Sequence, residues 1–82
     1  MDVDEFESVR AEFLAVAEAI SRDSDLVMRI SRARRPGEAL SAEQLDEIRR
    51  ANERSRKDGR RLRILRARLD QLLEDEEDEV SD

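Results

Sequence analysis

Two carboxylates stand where an oily stripe should continue. In the first half of the chain, Phe6, Phe13, Ile20 and Val27 recur every seven residues, and Val9, Val16 and Ile30 follow three places behind; Asp23 holds the remaining place. In the second half, Ile48, Ala51, Leu62, Leu65, Leu69 and Leu72 keep the same period, with Ser55 and Asp58 in the gap. A buried carboxylate is costly unless paired. Asp23 and Asp58 therefore each need an arginine, a wet environment or a proton, and Arg22, Arg54 and Arg61 are the nearby cations. Two carboxylates in an apolar seam read as a polar layer, Asp23, Ser55 and Asp58, that fixes register and oligomeric state. As an acid/base pair or a hard-cation site they lack further ligands.

The other chemical candidate is a basic run. Residues 54–68, RSRKDGRRLRILRAR, carry eight positive charges and one negative in a chain of net charge -6. Arg49, Arg56 and Arg63 form one line on a helix, and Arg54, Arg61 and Arg68 another. Such a surface can neutralise phosphates in a salt-dependent, sequence-independent way. No aromatic residue is interleaved to stack on bases, and eight carboxylates in the last thirteen residues compete for the same arginines. Residues 1–20 add six acids against one arginine. The pattern fits charges satisfied within the protein or by a protein partner, with nucleic-acid binding through residues 49–68 as the alternative.

Composition removes other chemistries. There is no Cys and no His, which excludes disulfides, thiolate nucleophiles and imidazole bases. No enzyme activity, metal or cofactor is expected. No apolar run approaches the roughly 18–20 residues of a membrane span, and the acidic start MDVDEFE is unlike a signal peptide. A cytoplasmic protein without membrane contact is the expectation.

The elements that hold these residues follow from the period. Charged residues make up 46% and aromatics 2% of the 82 residues, a balance shared by disordered chains and coiled coils; the sustained seven-residue repeat selects the coiled coil. A first helix is expected over about 4–34, a turn at 35–41 and a second helix over about 42–75, together one hairpin spanning 1–75. Pro36 cannot continue a helix, and Gly37 supplies a permissive corner. Ser41 and Gln44 form a capping box, with Leu40 and Leu45 placed as a hydrophobic staple. Residues 76–82 read as a flexible acidic tail, because like charges repel. Gly59 threatens the second helix, but the heptad phase passes through it unbroken. SRDSD, residues 21–25, likewise leaves the first helix in phase.

The predicted fold is therefore all-α, an antiparallel two-helix coiled-coil hairpin. A register in which facing positions sum to 78 sets Ile30 on Ile48, Val16 on Leu62, Phe13 on Leu65, Val9 on Leu69 and Phe6 on Leu72. It also sets Glu12 beside Arg68. Leu14, Leu26, Met28, Ile64 and Leu73 fall outside the seam, so the hairpin is expected to pair into a four-helix bundle as a homodimer, or to dock on a larger helical partner. Function is expected as a non-catalytic interaction module, a small adaptor, accessory subunit or regulatory protein.

Two resemblances bear on this. From Gly37 to Leu72, the glycine corner followed by Leu45, Glu47-Ile48, Arg50, Leu62, Arg68 and Leu72 resembles the small subunit of exonuclease VII. That implies an acidic helical hairpin that binds a large nuclease subunit and has no active site of its own. The leucine-proline lead-in to that family's second helix is missing here, and the first helix is longer. VRAEF, residues 9–13, with the arginines of residues 32–35, resembles an all-helical chorismate mutase, which implies arginines clamping a dianion. Asp23 falls near the place of that family's mid-helix arginine.

Overall fold

In a computed structural model the chain is two α-helices, α1 (Val3–Ala33) and α2 (Ala42–Val80), folded against each other. The structure describes the backbone of residues 3–80 and the side chains of residues 3–75. The antiparallel hairpin expected from the heptads is what forms. It is a rod of 65 × 17 × 16 Å.

Local chemistry sets each boundary. Asp4 and Glu5 occupy the first turn of α1 and Arg32 its last, both favourable to the helix macrodipole. The corner is a tight turn in which the Glu38 amide donates to the Arg35 carbonyl at 3.0 Å. Pro36 presets the first central dihedral, and Gly37, at φ 80°, takes the second, the positive-φ position that a type II turn reserves for glycine. At the start of α2 the capping box is complete. The Gln44 amide donates to Ser41 Oγ at 3.1 Å, and the Ser41 amide donates to Gln44 Oε1 at 2.9 Å. Ser41→Ala should cost about 1 kcal/mol, read as a lower midpoint in urea with an unchanged slope; an unchanged midpoint would mean that the box is ornamental.

Both helices pass through the segments that threatened them. SRDSD lies inside α1, and Gly59 lies inside α2, although glycine there costs roughly 1 kcal/mol relative to alanine. α2 also runs to Val80, five residues past the predicted end at 75. The proposed flexibility of 76–82 concerns side chains and terminal residues outside the described residues.

The core is thin. Among the described residues Ala51 (0% exposed), Leu65 (4%) and Leu72 (4%) are the buried hydrophobic ones, all on α2. The α1 stripe, Phe6, Val9, Phe13, Val16, Ile20, Val27 and Ile30, is half-buried throughout, as are Ile48, Leu62 and Leu69. One helix packed on one other covers each seam from a single side, so burial stays partial. Leu26, expected outside the seam, is half-buried; it stands one place before Val27, close enough to the partner helix to be covered. Leu45, expected to be stapled by Leu40, is 54% exposed, so the staple does not bury it.

Candidate interaction surfaces

Because α2 is antiparallel to α1, each edge of the seam pairs one column of residues from each helix. The column just before the α2 stripe is Arg54, Arg61 and Arg68, and all three reach across to carboxylates on α1. Arg54 donates from Nε (3.2 Å) and Nη2 (3.0 Å) to Asp23 Oδ1. Arg61 donates from Nε (2.9 Å) and Nη2 (2.6 Å) to Glu12 Oε1. Arg68 bonds Glu5 Oε1 through Nη2 and Gln71 Oε1 through Nη1.

This ladder corrects the predicted pairing of Glu12 with Arg68 by one heptad. In the predicted arrangement Arg61 would have met the level of Ala19 and found no acid there. In the observed one, Glu12 takes Arg61 and Glu5 takes Arg68, so two arginines are matched instead of one. Partly exposed pairs of this kind contribute at most about 1 kcal/mol each and weaken with salt. Their larger consequence is alignment, since they tie the two helices together at three levels along one edge.

The polar layer is half realised. Asp23, whose side chain is 13% exposed, is held by Arg54 as anticipated. Ser55 and Asp58 are half-buried beside it, but Asp58 makes no ion pair among the described residues. Arg61 goes to Glu12, and Arg22 lies on the outer surface of α1, beside Asp25 and Met28.

Of the six arginines assigned to a basic surface, four are therefore engaged. Arg49 bonds Asp46 at 2.5 Å, and Arg50 adds a second contact at 2.8 Å. The Arg49 hydrogen bond, followed by the charge of Arg50, holds the Asp46 carboxyl below its ordinary range, and the same bond raises Arg49. Any stability from this pair is present above the ordinary carboxylate range and is lost as pH falls through the lowered Asp46 value. The spacing of three and four residues is the usual helical ion-pair spacing, a signal in the sequence that the focus on the seam passed over. Arg56 and Arg63, with Lys57, Arg60 and Arg66, make no ion pair among the described residues and face solvent.

The opposite edge of the seam is different. The column just after the α2 stripe reads Leu45, Asn52, Gly59, Arg66 and Leu73, and its counterpart on α1 reads Val3, Arg10, Ala17, Ser24 and Ser31. No carboxylate stands in either column. Leu45 (54% exposed), Leu73 (44%) and Val3 (59%) are open to solvent here, with Leu14 (50%) and Met28 (45%) adjoining. Ser24, Met28 and Asn52 line a shallow groove along this edge. Ile64, also exposed, lies on the outer side of α2.

Nothing in this arrangement gathers a small-molecule clamp. Arg10 and Arg32 sit on one straight helix about 33 Å apart, so a single chain does not bring them round one dianion. Among the described residues there is no group of His, Cys, Asp and Glu able to hold a metal ion, and no helix is long and apolar enough to cross a membrane. No protein-family model matches the sequence, and neither a curated protein nor a solved structure shows significant similarity to it.

Proposed function

We propose that this chain is a non-catalytic protein–protein interaction module of the cytoplasm, a small helical adaptor or accessory subunit that works by adding its hairpin to other helices. One observation carries the reading. Among the described residues three hydrophobic side chains are buried while six large ones remain 44–59% exposed, a number of bare apolar groups that points to a partner surface. Covering such side chains stabilises an assembly by about 1.5–3 kcal/mol apiece when burial is complete. A hairpin with so thin a core gains much of its stability from what it docks on.

Sedimentation equilibrium and circular dichroism over a wide concentration range test this. The expected result is a species heavier than 9.5 kDa whose helicity falls on dilution, or a poorly folded chain that gains helix on a partner. A monomer that keeps full helicity at every dilution would end the reading.

The free cations of α2 favour a second reading, binding to nucleic acid. Arg56, Lys57, Arg60 and Arg63 occupy about two turns of its outer face without an ion pair among the described residues. If they grip phosphates, DNA or RNA should be retarded at low salt, with log affinity falling by about 0.9 per neutralised phosphate against log salt. Absence of retardation at low salt excludes it.

A further inference from the structure

Gly59 has no duty inside the hairpin. It lies in mid-helix, where glycine is a poor choice, its φ is not positive, and a Cβ built on it meets nothing within 4 Å. Glycine is otherwise used where a second backbone must approach closely. Its neighbours along the same edge recur every seven residues, with a leucine at each end and glycine at the centre: Leu45, Asn52, Gly59, Arg66, Leu73. The two leucines, both exposed, lie about 21 Å of helix on either side of the glycine.

We propose that two copies of the chain pack antiparallel along this edge, α2 against α2, crossing at Gly59. A two-fold axis there seats Leu45 of each copy against Leu73 of the other, as a self-complementary contact requires. It sets Asn52, a hydrogen-bond acceptor through its amide oxygen, opposite Arg66, which has no ion pair among the described residues. The inference rests on the interaction reading above and gives it a partner and a surface.

Charge selects the same arrangement. The turn end of the rod carries Arg29, Arg32, Arg34 and Arg35, all exposed, with no acid from residue 26 to 37. The far end carries Asp70, Glu74 and Asp75, all exposed. Antiparallel stacking brings each acidic end beside the other copy's arginine turn, whereas parallel stacking sets like on like. The three arginine–carboxylate pairs lie on the opposite edge and are undisturbed. Size is adequate as well: a side of 65 × 17 Å presents about 1,100 Å², above the roughly 800 Å² per partner of a standard interface.

The test combines mass with cross-linking on the full chain. Gly59→Gln inserts a side chain that its own hairpin can accommodate, so helicity should hold while dimer dissociation rises by about tenfold or more. The chain has no cysteine, so mixing Leu45→Cys with Leu73→Cys under mild oxidation should yield the mixed disulfide, and Leu45→Cys alone should couple poorly with itself. Preferential self-coupling of Leu45→Cys, or a wild-type oligomer indifferent to Gly59→Gln, overturns this surface while leaving an interaction module that uses another. A chain that folds only on a different protein overturns self-pairing and likewise spares the module. A fully helical wild-type monomer overturns both.

Discussion

Replacing Leu65 with alanine should remove about 2–5 kcal/mol, read as a large drop in the midpoint of thermal or urea unfolding. A folded chain of 82 residues has on the order of 4–12 kcal/mol in total, so this one truncation approaches the whole. The reason lies in how little else is buried. Leu65 is 4% exposed, in a core whose buried members among the described residues number three, and the α1 residues that face it are themselves only half-covered. No neighbouring layer stands behind to collapse into the space. Ile64, adjacent in sequence but 59% exposed, is the control: Ile64→Ala should stay within about 0.5 kcal/mol in the hairpin itself. Equal effects at the two positions would mean that the seam is not where the structure puts it.

The second large effect runs in the opposite sense of volume. Ala51 is 0% exposed, the most fully covered of the buried residues, and it stands in the turn-proximal half, opposite the Val27 and Asp23 stretch of α1. Ala51→Leu adds three carbons to a place with no room, at a cost of about 1–3 kcal/mol. The strain should be felt at the Arg54–Asp23 pair, which bridges the helices beside it. The variant should therefore lose more stability than leucine's good helix propensity returns, and its loss should be non-additive with Asp23→Asn because the two sites share a layer. Unfolding of the two single variants and the double variant in urea checks both points. A stabilised Ala51→Leu would show that the helices are spaced more widely than described.

The stripes, the proline-glycine corner and the Ser41–Gln44 box were all legible in the sequence, because each rests on a rule that acts within a few residues. A seven-residue period places Phe13 and Leu65 on inner faces whatever their partners are. Which glutamate meets which arginine is another matter. That choice depends on the relative slide of two rods and on side chains several ångströms long, and Glu12 with Arg61 could be told from Glu12 with Arg68 only when the whole edge was matched at once. Leu26 was misread for a related reason, since a residue bordering the seam is covered or bare according to how closely the helices approach. Gly59 was legible as a risk to α2 but not as a feature of its surface. That reading needs the open space, 4 Å or more, around a Cβ built at Gly59.

The account depends first on the chain doubling back so that its two apolar stripes meet. Spin labels at Glu7→Cys and Asp70→Cys, both exposed positions in a protein without native cysteine, measure this directly by pulsed electron resonance. Dilution with unlabelled protein confines the reading to distances within one chain. The hairpin predicts a narrow distribution at about 20–30 Å, since the rod is 17 × 16 Å across and the labels add their own reach. One continuous helix would separate the sites by about 95 Å at 1.5 Å per residue, and a distribution centred beyond about 60 Å would contradict the fold and everything built on it.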